Sequence, residues 1–176
     1  GKTTEKTAAL QQNNDTTEET SGAICWELSE DGKTLTFSGT GSISSDLVDT
    51  IAMDKVDTIV IEEGISEIGF YAFYHCESLK NITLPDSLQS IGNSAFNRCS
   101  NLESITLPNS LQSIEMGTFY DCHSLKSITL PNSLQSIGIR TFENCGSLKS
   151  TTLPNSLHSI GKEALENCGS RKGRRL

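Results

Sequence analysis

From Val56 onward, apolar residues recur every 23 positions, a period too long for any single helix or strand. The unit LESITLPNSLQSIEMGTFYDCHS at 102–124 stands for all. Its apolar positions are Leu102, Ile105, Leu107, Leu111, Ile114, Phe119 and Cys122. Ser104-Ile105-Thr106-Leu107 alternates polar and apolar, which predicts a short half-buried strand. Pro108 has no amide hydrogen to give a sheet, so it ends the strand and opens a turn through Asn109 and Ser110. Leu111–Ile114 predicts a second extended piece. Glycine at 69, 92, 138 and 161 then supports a bend, with Glu115 the exception in that column. MGTFYDC and its equivalents predict one or two helical turns that point Phe119 and Cys122 inward.

A period of 20–50 residues is the signature of a solenoid. One such unit buries too little to stand alone, so neighbouring copies must supply burial and backbone hydrogen bonds, and near-identity lets each match the next. The expected fold class is α/β, a repeat solenoid of about five units at 56–78, 79–101, 102–124, 125–147 and 148–170. Ahead of it, Cys25–Leu28 and Thr34–Phe37 both alternate around Asp31-Gly32, a strong hairpin signal. Residues 23–55 therefore read as an N-terminal β-hairpin cap, with Leu28, Leu35, Phe37 and Trp26 closing the first repeat's core. Residues 1–22 are polar and read as a leader or linker, in which EKTAALQQ has the pattern of a helical turn or two. Residues 171–176 form a basic tail.

These residues resemble the BspA-like class of bacterial leucine-rich repeats, whose pattern is roughly L..I.LP.S...IG..AF..C.S. LKNITLPDSLQSIGNSAFNRCSN at 79–101 matches it. VDTIVIEEGISEIGFYAFYHCES at 56–78 is similar to a first repeat, with Glu62-Glu63-Gly64 in place of Pro-Asx-Ser. CWELSEDGKTLTFSGTGSIS at 25–44 is similar to the hairpin that often precedes such repeats. The resemblance implies a right-handed solenoid with a curved parallel sheet, in secreted or cell-surface proteins. It implies protein or cell-surface ligands for some members, and it carries no catalytic residues and no cofactor. The expected function is a non-enzymatic adhesion or protein-binding module. The alternative is a structural spacer within a larger surface protein.

Charge narrows the partners. Residues 1–78 hold 15 acidic residues against 4 lysines, a net −11; residues 79–170 carry −1 and the tail +4. A body this acidic does not suit nucleic acid. No stretch has the apolar length of a membrane span. The chain begins at Gly1 with no apolar leader core, as expected of a mature chain whose signal peptide has been removed. Arg171, Lys172, Arg174 and Arg175 are expected to keep water over the open end of the repeats, with a basic anchor to an acidic surface as the alternative; that end also allows weak self-association.

Candidate chemistry adds little. Cys76, Cys99, Cys122, Cys145 and Cys168 share one register position, so inward-facing free thiols are expected, with disulfides between neighbours as the alternative. Zinc ligands come as local C-x-x-C pairs, and none occurs. Cys25 lies outside the register. His75, His123 and His158 occupy three different register positions and read as surface residues. The column Thr83, Thr106, Thr129 and Thr152 reads as the exposed face of strands. Copies of the repeat differ most between the LPNSLQSI segments. There Phe70, Tyr71, Tyr74, Met116, Tyr120 and Ile139 place large side chains where other copies are polar. With Arg140 they form the candidate partner surface, because interfaces favour aromatic residues and Met; drift of side chains under weak constraint is the alternative reading.

Overall fold

The computed structural model describes residues 5–10, 23–149 and 151–169 of the chain. The leader residues 1–4 and 11–22 and the basic tail lie outside them. Each repeat forms one turn of a solenoid, with two short strands in the first four repeats and, among the described residues, one in the last. The first strands belong to a seven-stranded sheet: β1 (Glu5–Leu10), β2 (Ala23–Leu28), β3 (Thr34–Gly39), β5 (Thr58–Ile61), β7 (Asn81–Thr83), β9 (Ser104–Thr106) and β11 (Ser127–Thr129), in that spatial order. The pairs from β3 onward are parallel, with Ser104 opposite Ser127 and Asn81 opposite Ser104. The second strands make two three-stranded sheets. One joins β4 (Gly41–Ile43), β6 (Ile65–Ile68) and β8 (Ser90–Ile91); the other joins β10 (Ser113–Ile114), β12 (Ser136–Ile137) and β13 (Ser159–Ile160).

The repeated octapeptide does what its residues dictate. In the third unit Ile105, Leu107, Leu111 and Ile114 are buried, and the Leu111 amide donates to the Pro108 carbonyl at 3.1 Å to close the turn. The serine of each turn reaches back one repeat. Ser87, Ser133 and Ser156 donate to the carbonyls of Ile65, Leu111 and Leu134 at 2.7, 2.6 and 2.6 Å, and Ser110 donates to Leu88. Glu62-Glu63-Gly64 replaces that turn in the first repeat. There the Glu63 carboxylate accepts from the amides of Asp86 and Ser87 in the next turn.

Inside, Phe73, Phe96, Phe119 and Phe142 stack at 5.6 Å between ring centroids. Phe37 of the cap meets Phe73 edge-on at 5.9 Å and closes that end of the row. Cys99, Cys122, Cys145 and Cys168 run beside the rings. Each thiol donates to the carbonyl of the Phe 26 residues earlier, at 3.1–3.2 Å. All six cysteines are free. Burial pushes the Cys99 thiol well above its ordinary range and that of Cys122 from 9.0 to about 12.

Three expectations change. The segments after the bend are turns, not helices; among the described residues the one α-helix is α1, Ser45–Val48 in the cap. The reason is spacing. Strands stack about 4.8 Å apart, while a helix with its side chains is about 10 Å wide. The turns instead share hydrogen bonds between copies. In the second unit, amides 95, 97 and 99 donate three residues back, to Gly92, Ser94 and Phe96. Amides 94, 96 and 98 donate to Met116, Thr118 and Tyr120 of the next copy. Second, the cap is more than a lid. Thr34 pairs with Thr58 and Gly41 with Ile65, so β3, β4 and α1 complete a turn of the solenoid themselves. Leu28, Leu35, Phe37 and Trp26 are buried there. Third, Glu5–Leu10 within the leader is a strand, antiparallel to β2 with Glu5 opposite Leu28. The outer edge of β2 offers unpaired amides and carbonyls, and pairing with them needs no apolar composition.

Candidate functional site

Each turn between octapeptides holds two backbone positions with positive φ. Tyr71, Ser94, Gly117, Arg140 and Glu163 fill the first column at φ 57–64°. His75, Arg98, Asp121, Asn144 and Asn167 fill the second at 59–65°. The left-handed residues let the chain alternate its amides between its own turn and the next. Variation among the copies at Tyr71 and Arg140 is therefore not freedom of the backbone, which is the same in every copy; only the side chains vary. The Asx residues of the second column suit that conformation, and they link to one another. Asn144 donates to Asp121 at 2.8 Å and Asn167 to Asn144 at 3.0 Å.

The side chains of this turn side divide the candidate surface into two parts. Phe70, Tyr71 and Tyr74 are 65%, 46% and 40% exposed and touch in sequence, with centroids 5.9 and 5.5 Å apart. His75 extends the row at 5.8 Å from Tyr74, and its Nε2 lies 2.7 Å from the Glu77 carboxylate. Met116 and Ile139 are 47% and 44% exposed and occupy the register position of Phe70 two and three repeats on. Tyr120 shares the register of Tyr74 but is half-buried. Arg140 lies in the register of Tyr71, where Glu163 at 2.9 Å and Glu143 at 3.3 Å hold its guanidinium. Arg98 likewise reaches Asp121 at 3.5 Å and donates to the Tyr74 hydroxyl. The sheet side presents small polar groups, with Asn81, Thr83, Ser104, Thr106, Ser127 and Thr129 exposed.

Two clefts adjoin the aromatic row. One of about 590 Å³ has Tyr71 and Tyr74 in its wall, with Asp49, Asp54 and Glu77. The other, about 750 Å³, has Phe70, Asp46, Glu67 and Glu115. Sequence reasoning had no hold on the cap carboxylates Asp46, Asp49 and Asp54, because they precede the first register and have no aligned copies. His123 and His158 are exposed at separate places. Among the described residues no group of three His, Cys, Asp or Glu is placed to hold a metal. No helix among them is long and apolar enough to cross a membrane.

These features agree with the comparisons. The pattern described as BspA type leucine rich repeat region matches residues 51–172 in six copies. A leucine rich repeat protein of T. pallidum is 31% identical, with a TM-score of 0.66 over 89% of this chain and 69% of its own. A leucine rich cell surface protein of Faecalibacterium prausnitzii is 23% identical (TM-score 0.57, 92% of this chain, 54% of its own). The pneumococcal vaccine antigen PcpA is 20% identical (TM-score 0.62, 96% of this chain, 52% of its own). The last two likenesses show the fold alone, and the chain spans about half the length of each. No curated protein matches the sequence. With the repeat pattern, the fold and the T. pallidum likeness in agreement, the chain belongs to the BspA-type leucine-rich-repeat family.

Proposed function

We propose that this protein is a non-enzymatic binding module of a secreted or cell-surface protein, taking protein or cell-surface ligands through its turn side and the adjoining sheet. One observation carries the reading. All five exposed large hydrophobic side chains of the described residues, Phe70, Tyr71, Tyr74, Met116 and Ile139, lie on the turn side. Exposed apolar groups gathered on one side are the mark of an interaction surface. Tyr120 and Arg140 complete it. The surface location draws support from two neighbours of the same fold, the Faecalibacterium cell surface protein and the pneumococcal vaccine antigen.

The test is a binding screen of the chain against extracellular-matrix proteins and whole cells. Phe70→Ser, Met116→Ser and Ile139→Ser together are expected to weaken saturable binding at least about tenfold, with circular dichroism unchanged. Binding that survives this triple variant rejects the turn side as the contact face. A chain that binds nothing in the screen is a spacer.

A further inference from the structure

We propose that the aromatic ridge of the first repeat docks a cationic polypeptide segment, one presenting Arg or Lys side chains. The inference rests on the turn side being the contact face, and it names the chemistry of the partner at one end of it. Phe70 lines one cleft and Tyr71 and Tyr74 line the other, with Ser45 common to both. The three rings therefore stand between two hollows. Six carboxylates face these hollows: Asp49, Asp54 and Glu77 in the first, Asp46, Glu67 and Glu115 in the second. Neither lining includes a lysine or an arginine.

The pairing of these charges decides the argument. His75 engages Glu77 and the Ser113 hydroxyl engages Glu115. Among the described residues the carboxylates of Asp46, Asp49, Asp54 and Glu67 take no hydrogen bond and no ion pair. Farther along the turn side Arg98 pairs with Asp121 and Arg140 with Glu143 and Glu163, which leaves Glu166 there with no pairing cation among the described residues. The first repeat and its cap thus hold an acid excess beside the largest exposed rings of the molecule. A purely apolar segment seated there would strip water from the carboxylates without replacing it. An anionic partner would be repelled. A cation gains from both features. The ring faces attract it through their quadrupole, and a guanidinium fork matches a carboxylate with two parallel hydrogen bonds. Two separate hollows favour an extended segment with more than one charge over a single small cation.

The probe is a fluorescent peptide of four Gly-Arg repeats, read by anisotropy on the whole chain, with a Gly-Glu peptide as control and a glucosamine oligomer as competitor. Saturable binding of the Gly-Arg peptide is expected, lowered at least about tenfold by Asp49→Asn with Asp54→Asn, and severalfold by Tyr74→Ala. Asp86→Asn with Glu103→Gln removes the same charge on the second and third repeats and is expected to change it less than about twofold. Absence of saturable binding overturns the proposal, and so does an equal loss in the distant pair, which would mean general attraction to an acidic chain. Displacement by the glucosamine oligomer at lower concentration than by unlabelled peptide also overturns it, in favour of a cationic sugar. A chain that ignores the peptide yet loses a matrix ligand on the Phe70, Met116 and Ile139 substitutions rejects this inference and keeps the contact face.

Discussion

Ser133 shows what a constant residue of the octapeptide is for. Its hydroxyl reaches the Leu111 carbonyl one turn back at 2.6 Å, satisfying an acceptor that the strands leave free. Ser133→Ala leaves that half-buried carbonyl without a donor and is expected to cost about 1–2 kcal/mol in urea unfolding. Ser110→Ala and Ser156→Ala should behave alike if the repeats are equivalent; a neutral Ser133→Ala refutes the role. The cysteine column allows a test by pH. Below pH 9 the Cys122 thiol is protonated in both folded and unfolded chains, so its burial contributes in full. Between 9.0 and about 12 the unfolded chain gives up this proton while the folded one keeps it. Stability therefore falls as pH rises through that window, by about 1.4 kcal/mol per pH unit per buried thiol. Since Tyr and Lys titrate there too, the measurement is the difference between the wild type and Cys122→Ala. The wild-type advantage should shrink from pH 9 to 11, and a constant difference would show that the thiol is not buried as described. The inward place of Cys99, Cys122, Cys145 and Cys168 was legible because they share a register, while Cys76, in the same register of the first repeat, is only half-buried. The left-handed backbone was not. Asp121, Asn144, Asn167 and Gly117 suit positive φ, but Tyr71, His75, Arg98, Arg140 and Glu163 do not advertise it.

At the scale of elements, one substitution in the glycine column breaks a sheet. A Cβ on Gly92, Gly138 or Gly161 would lie 2.4–2.6 Å from the backbone nitrogen of Phe70, Met116 or Ile139 in the preceding turn. Glu115 carries such a Cβ, and the second strands separate into two sheets between β8 and β10, at its own repeat. Gly92, Gly138 and Gly161 donate to Ile68, Ile114 and Ile137 at 2.7–2.8 Å. Glu115→Gly is expected to let β10 join β8 by the same bond. Recovering one or two hydrogen bonds at about 1 kcal/mol each, less about 0.5–1 for glycine's chain entropy, gives a gain of about 0–1.5 kcal/mol. Faster amide exchange at 112–115 in the variant would contradict this. The odd residue was visible in the sequence; its consequence depends on how closely two backbones approach. The helices expected over MGTFYDC failed for a related reason. Local pattern carries no record of the 5.6 Å spacing between stacked repeats, which leaves no room for them.

Over the whole solenoid, the first and last described turns are built differently. At one, β1 to β4 and α1 wind on to the first repeat and close it with Phe37 and Trp26. At the other, residues 151–154 form no strand, and Leu153, Leu157, Ile160 and Leu165 are only partly covered. The Thr151 hydroxyl is buried with no partner where earlier copies carry Ile105 and Ile128. Leu165 stands where Phe142 would next be stacked. In a linear array each repeat is held by its packing on its neighbours, so this turn, with its flawed and partly covered core, has the lowest local stability among the described repeats. Both flaws were legible as departures from the repeat. Thr151→Ile removes an unsatisfied hydroxyl and adds buried carbon, worth about 1–3 kcal/mol to the local opening equilibrium. Leu165→Phe extends the ring row and adds about 0.5–1.5 kcal/mol. Hydrogen exchange checks both: amides of 157–169 should exchange fastest among the repeats in the wild type. Their protection should rise about tenfold or more in the double variant, while amides of 58–83 stay unchanged. Protection that rises equally in both regions would mean that the solenoid opens as one unit and has no weak end. In that case neither substitution could be acting by local repair.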